Sequence, residues 1–467
     1  MLFNTVGYWL FFAAVAAAYH ALPRPRRWPL LLVASYGFYA AWSPPFVLLL
    51  ALSTVVDWQA ALRLHAARSR AAKKAWLGLS LATNLGLLGT FKYADFLLEA
   101  TADLLGALGL GWTPPRLGLV LPVGISFYTF QTLSYSIDVY RGDLVPERRL
   151  GRLALYVSFF PQLVAGPIER ATHLLPQLQA GAFAATAAEI ASGLRLALWG
   201  LFQKVVIADR LALYVDAVYA DPGAHSGATL LAATYAFAFQ IYADFAGYSL
   251  IAIGCARALG FDLRANFDRP YLARSIRAFW RRWHISLSSW LRDYLYVPLG
   301  GSHGGRLRTW RNLVLTMLLG GLWHGAGWTF VVWGLLQGLL LVASHAMRHG
   351  GLRHPFEGLP PRLHHGLDVL LTFHLVCLGW VFFRAASLSD ALAVLGGLAR
   401  PGVLFVDAHT FAHAGVGLAL LAFVELTPAA LRERTSPSLR RAAAGSLALL
   451  VALLGVEVGA QFIYFQF

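Results

Sequence analysis

Long apolar runs dominate this chain, and its charged residues are confined to short stretches between them. Of the 467 residues, 58% are hydrophobic and 13% are charged, whereas a soluble protein carries about a quarter charged residues. A run of about 20 apolar residues can cross a bilayer as a helix, which satisfies its own backbone hydrogen bonds in lipid. The sequence therefore predicts an all-α polytopic membrane protein and disfavours a soluble multidomain protein.

We expect about ten to twelve helices that cross or enter the membrane, packed as a single integral-membrane domain over residues 1–467. The candidate runs lie near 4–22, 28–60 (a hairpin around WSPP), 75–99, 117–139, 151–167, 190–219, 227–259, 311–346 (two spans around GAGW), 366–384, 411–427 and 443–463.

The net charge of +15 comes from basic loops between apolar runs. Loops at 23–28, 62–74 and 141–152 are predicted to be cytoplasmic and to contact anionic lipid, and nucleic-acid binding is not expected. The first run has no basic start, so we expect a retained span with an extracytoplasmic N-terminus. Segment 348–365 is basic and rich in Pro and Gly, which indicates a loop.

Several kinds of site find no support in the sequence. Cys255 and Cys377 lie in apolar segments without a CxxC pair, so neither a disulfide framework nor a thiolate metal site is expected. There is no phosphate-binding loop and no dinucleotide fingerprint. We therefore expect no bound metal and no resident cofactor.

The segment RSIRAFWRRWHISLSSWLRDYLYVPLGG (274–301) differs from the other apolar stretches because it is strongly charged. Its spacing predicts one amphipathic helix over 274–296 that lies at an interface or enters the protein from one side. We place Trp280, Trp283, His284, Leu287, Leu291 and Tyr294 on one face, and Arg281, Arg282, Ser286, Ser289, Arg292 and Asp293 on the other. The segment is either a surface helix with a tryptophan belt or a donor site whose arginines attract an anionic group.

The segment GGLWHGAGWT (320–329) places His324 among glycines inside an apolar run. On a continuous helix its face would hold Gly320, Gly321, Gly327 and Trp328. Either a second helix approaches closely there, or the space is left for a substrate. An imidazole in an apolar setting is neutral at physiological pH, as a general base for a hydroxyl nucleophile must be.

Five stretches resemble the membrane-bound O-acyltransferase (MBOAT) family, and within it the branch of the bacterial alginate O-acetylation membrane protein. In order they are LPVGISFYTFQTLSYSIDVYRG (121–142), FFPQLVAGPIER (159–170), QIYADFAGYSLIAIG (240–254), NFDRPYLARSIRAFWRRWHISLSSWLRDYLYVPLGG (266–301) and GGLWHGAGWTFVVWG (320–334). The similarity extends to FIYFQF (462–467). The resemblance implies an MBOAT-like bundle around a central tunnel, with a catalytic core over 272–334 and the segment 274–296 lining the cavity.

The resemblance also implies roles for individual residues. His324 would be the general base or transient acyl acceptor, and His284 would position or polarise the reacting groups. Further candidates for donor or substrate binding are Arg281, Arg282, Trp323, Trp328 and Asp244. Where the branch has a serine and a second acid near Asp244, this chain has Ala246 and Leu250. The intramembrane acids Asp138, Asp244 and Glu457 are expected to be structural hydrogen-bond partners.

Together these features predict a membrane O-acetyltransferase. It would move an acetyl group from a cytoplasmic donor, acetyl-CoA, to hydroxyls of an extracytoplasmic polysaccharide, directly or through a secreted esterase-like partner. Alginate, peptidoglycan, cellulose and other exopolysaccharides all remain open as acceptors. A partner is expected because no soluble domain follows the last apolar run. The alternatives are a transporter or flippase of a lipid-linked sugar or acyl carrier, and a scaffold in which His324 has no catalytic role.

Overall fold

The computed structural model describes residues 2–164, 166–179, 185–349, 354–427 and 435–456. These residues form helices joined by turns, without a β-strand among them. Seven of the described helices are long and apolar enough to cross a membrane. They are Pro44–Ala66, Ala187–Ala220, Gly227–Ala258, Trp328–Arg348, Pro361–Arg384, Ala408–Leu426 and Pro437–Leu454. The prediction of an all-α polytopic membrane protein is confirmed.

Contacts divide the chain into two compact units. The first unit contains the described residues up to Leu194 together with Ala252–Arg264. Its helices are α1 (Val6–Ala21), α2 (Arg24–Ala40), α3 (Pro44–Ala66), α4 (Arg70–Leu88), α5 (Ala94–Ala107), α6 (Ile125–Arg141), α7 (Leu150–Ser158), α8 (Ala171–Gln179) and the start of α9 (Ala187–Phe202).

The second unit contains Arg195–Ile251 and the described residues from Ala265 onward. Its helices are the rest of α9, α10 (Asp209–Ala220), most of α11 (Gly227–Ala258), α12 (Ile276–Trp280), α13 (Ile285–Leu291), α14 (Arg306–His324), α15 (Trp328–Arg348), α16 (Pro361–Arg384), α17 (Leu388–Gly397), α18 (Ala408–Leu426) and α19 (Pro437–Leu454). Short π-helical turns occupy Gln203–Ala208 and Arg292–Tyr296 in this unit and Gly89–Tyr93 in the first. All candidate catalytic and donor-binding residues belong to the second unit.

Large apolar side chains are exposed along helices of both units. Leu48 is 72% exposed, Val33 is 71% exposed and Leu453 is 67% exposed. Soluble proteins rarely expose many such side chains together, because each leaves apolar surface in water. Lipid removes that cost, so these exposed faces are consistent with helices that contact a bilayer.

The helix ends follow the local sequence chemistry. Thr5 Oγ1 accepts a hydrogen bond from the Tyr8 N–H, and Ser69 Oγ accepts one from the Ala72 N–H, so both side chains cap the first turn of a helix. At its C-terminus α6 ends on Gly142, which adopts the left-handed conformation at φ 86°. The loop predicted at 62–74 is shorter in the structure, because α3 ends at Ala66 and α4 begins at Arg70.

Helices α14 and α15 form the hairpin that the GAGW turn predicts, with glycines at their contact. A Cβ on Gly334 would lie 2.6 Å from Met317 O and 3.2 Å from Gly321 Cα. Only glycine allows the two backbones to approach this closely. Of the two explanations for the glycines beside His324, close helix packing therefore applies at Gly321.

The predicted helix face around His324 is wrong on its C-terminal side. Helix α14 ends at His324, and Gly325 is extended with φ −156°. A Cβ on Gly325 would clash with the Phe330 ring, so the turn depends on this glycine. Trp328 begins the next helix and is 51% exposed, so it does not share a helix face with His324 as a continuous helix predicted.

The single amphipathic helix predicted over 274–296 is also wrong. The segment forms α12, a turn, α13 and the π-helical turn. The face assignment holds for the buried Trp283, His284 and Leu287 and fails for Ser286, which is buried as well. Glu457 and the stretch 462–467, which the sequence analysis named, lie outside the described residues.

Candidate active site

His284 occupies the turn that separates α12 from α13. Its φ of 44° places it in the left-handed region, where a non-glycine residue costs about 1 kcal/mol or more. The residue is fully buried. A strained, buried histidine in the middle of a helical segment indicates that the fold holds this ring in place for a purpose.

Asn266 fixes the orientation of the His284 ring. Its side-chain Oδ1 lies 3.1 Å from His284 Nδ1. The same oxygen accepts hydrogen bonds from the Ser286 N–H and the Ser286 hydroxyl. The main-chain carbonyl of Asn266 accepts a hydrogen bond from the Ile285 N–H. The other side-chain atom, Nδ2, donates to Ser249 Oγ of α11. Asn266 thereby satisfies the first N–H groups of α13 and links the turn to α11.

These contacts determine the tautomer of His284. The Ser286 N–H can only donate, so the Asn266 atom that it contacts is the carbonyl oxygen. That oxygen can only accept, so His284 Nδ1 must carry the proton in the 3.1 Å contact. Burial lowers the pKa of His284 to about 3, so the ring is neutral at physiological pH and its lone pair is on Nε2.

His324 lies at the C-terminal end of α14 and is 4% exposed. Its ring centroid is 6.4 Å from that of His284. Aromatic rings surround it: Trp323 at 5.0 Å, Trp333 at 5.1 Å and Phe383 at 5.3 Å between centroids. The two histidines that the sequence singled out are therefore neighbours in a buried aromatic site, although 40 residues separate them along the chain.

Trp323 lies beside both rings, since its centroid is also 5.9 Å from that of His284. Trp333 and Phe383 provide two further aromatic contacts to His324. Phe245 closes the side of His284, with a centroid distance of 4.6 Å. Aromatic walls exclude water, which strengthens every electrostatic interaction inside the site.

Trp333 also brings a polar group into this wall. It is 1% exposed, and among the described residues no acceptor lies within hydrogen-bond reach of its Nε1. Native proteins leave few buried donors in this state, and each such donor calls for an explanation. A bound substrate oxygen would provide one.

Arg281 lines a cationic cavity of about 710 Å³, within the second unit, that we call the arginine cavity. Five arginines line it, namely Arg277, Arg281, Arg292, Arg306 and Arg348, and the imidazoles of His345 and His349 lie beside them. None of the described residues that line it has a carboxylate. The apolar part of the lining includes Leu291, Leu313, Met317 and Leu341. Such a cavity suits an anion attached to an apolar or neutral chain.

The structure separates the two arginines that the sequence analysis treated together. Arg281 lines the arginine cavity, whereas Arg282 does not. The main-chain carbonyl of Arg282 instead accepts a hydrogen bond from the Asp268 N–H. The helix break at His284 causes this separation, because consecutive residues in the turn before it point in different directions.

Only a thin wall separates the arginine cavity from the histidine site. Trp280 lines the cavity, and its ring lies 5.8 Å from that of Trp333, which contacts His324. Leu291 also lines the cavity, and its Cδ1 would lie 3.1 Å from a Cβ on Gly320, one helical turn before His324. The arginine cavity and the histidine site are therefore neighbours within the second unit.

Asp244 lies in a buried ion-pair cluster instead of the histidine site. Lys204 Nζ is 2.7 Å from Asp244 Oδ1 and 2.7 Å from Asp209 Oδ1. This arrangement supports the structural role that we expect for intramembrane acids. Asp138 is buried as well.

Asn266, Ser286, Trp333 and Phe383 are the site residues that the sequence analysis missed. Asn266 and Ser286 fall inside a quoted motif, but periodicity assigned Ser286 to the polar face of a helix and gave Asn266 no role. Ser249 lies between Ala246 and Leu250, and no sequence pattern distinguished it. Asn266 precedes His284 by 18 residues, so its contact with the ring depends on the tertiary fold.

Comparison with known proteins places this geometry in context. The model of the family described as MBOAT, membrane-bound O-acyltransferase, matches residues 149–383. The probable alginate O-acetylase AlgI of Pseudomonas aeruginosa is 42% identical over 391 residues, which are 83% of this chain and 72% of that protein. The peptidoglycan O-acetyltransferase of Helicobacter pylori is 38% identical over 434 residues, covering 85% of this chain and 80% of that protein. A teichoic acid D-alanyltransferase of Bacillus subtilis is 27% identical over 283 residues, which cover 58% of this chain and 70% of that protein.

Proposed function

The chain belongs to the membrane-bound O-acyltransferase family, and we propose that it transfers an acetyl group from a cytoplasmic donor to hydroxyls of an extracytoplasmic polysaccharide. The proposal rests above all on two buried histidines whose rings are 6.4 Å apart inside an aromatic wall. Relatives named as acetylases of alginate and of peptidoglycan support acetyl as the group and a polysaccharide as the acceptor. Membership of an acyltransferase family favours this function over a transporter.

In the proposed reaction His324 accepts the proton of the acceptor hydroxyl. The hydroxyl oxygen attacks the acetyl carbonyl carbon and forms a tetrahedral intermediate. The bond from carbon to the donor's sulfur then breaks, and the thiolate leaves with the proton that His324 took up. His284 positions the reacting groups through Nε2. The contact between Nδ1 and Asn266 keeps Nε2 unprotonated, so that this atom can accept a hydrogen bond.

The indole N–H of Trp333 is proposed to donate to the acetyl carbonyl oxygen. That oxygen becomes negatively charged in the intermediate, and a buried donor aimed at it stabilises the charge most where water is excluded. The position of Trp333 supports this role, because its ring contacts both His324 and Trp280. It thus lies between the arginine cavity and the proposed base.

We propose acetyl-CoA as the donor, with its phosphates in the arginine cavity. Guanidinium groups bind phosphate oxygens in a forked geometry, and five of them line this cavity. The apolar and hydroxyl-bearing lining, which includes Ser288, Ser289 and Thr316, suits the uncharged arm between the phosphates and the thioester.

Arg281→Ala is expected to raise the KM for the donor by about tenfold, with kcat little changed, because a hydrogen bond to a charged group is worth about 1.5–3 kcal/mol. Arg282→Ala is the matched control, since it removes the same charge one residue away and outside the cavity. Steady-state kinetics at varied acetyl-CoA and fixed ionic strength measure both. Equal KM changes in the two variants would show that the cavity does not bind the donor.

Asn266→Leu is expected to lower kcat by roughly 10–100-fold while leaving KM nearly unchanged, because His284 then loses the acceptor that sets its tautomer. In Asn266→Asp the carboxylate can still accept from Nδ1, and its charge raises the pKa of His284. The acid limb of the kcat–pH profile should therefore move to higher pH in this variant alone. An unchanged profile in Asn266→Asp, with activity lost in both, would reduce Asn266 to a structural residue.

A secreted esterase-like partner is proposed to carry the acetyl group from this chain to the polymer. A hydrated polymer has poor access to a histidine that is 4% exposed, whereas a single hydroxyl side chain on a carrier could reach it. The function is tested by reconstituting the purified chain in vesicles with labelled acetyl-CoA and polysaccharide fragments, with and without a periplasmic extract. Acetyl ester on the polymer only with the extract supports both proposals. Efficient acetylation without the extract would contradict the proposed partner. No acetyl transfer in either case would contradict the proposed enzymatic function.

We propose an inner-membrane location with an extracytoplasmic N-terminus and cytoplasmic basic loops. The turn between α3 and α4 lies among the basic residues that set this orientation. A cysteine placed at the exposed Arg68, in a background without Cys255 and Cys377, is expected to resist a membrane-impermeant thiol reagent applied to spheroplasts. A cysteine at the exposed Leu108 serves as a second position for mapping. Strong labelling at Arg68 in intact spheroplasts would invert the orientation.

A further inference from the structure

Two histidines and an aspartate converge where the segment before α16 meets the first turns of that helix. His354 Nε2 lies 3.3 Å from Asp368 Oδ1, and His364 Nε2 lies 3.4 Å from Asp368 Oδ2. His364 and Asp368 are four residues apart and share one face of α16. The rings of His354 and His364 are 4.7 Å apart between centroids.

The two separations between the imidazoles and the carboxylate match those between metal ligands. Two ligands bound at 2.0–2.1 Å to a tetrahedral zinc ion lie about 3.3–3.4 Å from each other. One atom from each of the three side chains lies within 4.8 Å of the other two. Charge-assisted hydrogen bonds are shorter, at about 2.7–2.9 Å, as in the His173 Nδ1 to Glu169 Oε2 contact of 2.8 Å.

The chemistry of the cluster also suits a transition-metal ion. Imidazole nitrogen and carboxylate oxygen are common zinc ligands, and three protein ligands leave a fourth position for water. The Asp368 side chain is 12% exposed, while those of His354 and His364 are 34% and 31% exposed. The carboxylate is therefore held inside, and the open side faces out, where an ion can enter.

We propose that His354, His364 and Asp368 bind a divalent transition-metal ion of the zinc class. The ion fastens residue 354 and its neighbours to the start of α16. The sequence analysis expected no metal because it considered cysteine spacing, and this site uses none. It lies apart from the residues assigned to acyl transfer and is independent of that assignment.

Metal binding requires one local rearrangement at His354. The Phe356 N–H donates to His354 Nδ1, so the neutral ring has its proton on Nε2. Coordination through Nε2 moves that proton to Nδ1, and the Phe356 hydrogen bond is then broken. This bond is 3.3 Å long and partly exposed, so water can replace it at small cost.

The test uses the full-length protein, purified in detergent with an affinity tag that contains no histidine. The protein is stripped with a chelator, dialysed against Zn²⁺ and then against metal-free buffer, and its zinc content is measured by mass spectrometry. One equivalent of zinc per chain is expected beyond that of the triple variant His354→Ala, His364→Ala, Asp368→Asn. Each single variant should weaken binding by more than the roughly 10–100-fold that loss of an outer-shell partner costs.

His365→Ala is the matched control, because it removes an exposed imidazole next to His364 that is outside the cluster. It should retain the zinc. Titration of the wild-type chain with Co²⁺ adds a readout that needs no variant, since tetrahedral cobalt absorbs far more strongly than the hydrated ion. Equal zinc in the wild type and the triple variant, equal loss in His365→Ala, or only the weak absorption of hydrated cobalt would each overturn the proposal.

Discussion

Replacement of His324 by alanine or phenylalanine is expected to reduce acetyl transfer by about 10²–10⁴-fold, the usual contribution of a general base. His324→Phe is the more informative variant. Its ring can fill the space between Trp323, Trp333 and Phe383, so the site keeps its packing while it loses the only atom there that is proposed to accept the hydroxyl proton. Acetyl transfer in the reconstituted vesicles measures the loss.

His303→Ala provides the control for this experiment, because His303 is exposed and is not part of the histidine site. Equal amounts of each variant in the membrane, with the same elution from a sizing column, show that the fold is intact. Wild-type activity in His324→Phe would show that His324 is not the general base. It would instead support the scaffold alternative, in which the chain assists a separate acetyltransferase.

The class of fold followed from the sequence because it depends on properties that accumulate over long stretches. Apolar runs of spanning length predict helices whatever their partners are, and α14 and α15 lie where the glycine-rich turn indicated. The ends of helices were less accessible. Helix α14 stops at His324 because Gly325 leaves the helix and packs against Phe330, a contact with a residue of the next helix.

The candidate site shows the same division between local and tertiary information. His324 could be singled out because an ionisable side chain in an apolar run is costly unless it is used, whereas His284 was singled out through the family resemblance. The break at His284 could not be found from periodicity, because residues 274–296 fit one continuous amphipathic pattern. The break is stabilised by Asn266, which supplies hydrogen-bond acceptors to α13 from another part of the chain. Arg281 and Arg282 were inseparable for the same reason.

Trp333→Phe is expected to lower kcat by about 10²–10³-fold with little change in KM, as the loss of one oxyanion donor does in other acyl-transfer enzymes. The variant keeps an aromatic ring against His324 and Trp280 and removes the Nε1 donor. Since the acetyl carbonyl oxygen gains its charge only as the intermediate forms, the lost interaction belongs to the transition state and should appear in kcat.

Trp380→Phe is the matched control for this prediction. Trp380 is also 1% exposed, and its ring stacks on that of Trp333 at 6.1 Å. Its Nε1, however, already donates to Tyr271 Oη at 3.2 Å, so it has no bond to offer a substrate. Both variants remove one indole N–H from the same aromatic cluster, and both should lose some stability for that reason. A large fall in kcat for Trp333→Phe alone, at equal protein in the membrane, separates carbonyl stabilisation from packing. Equal falls in both variants would show that the cluster matters only as a wall, and the carbonyl oxygen would then need another donor.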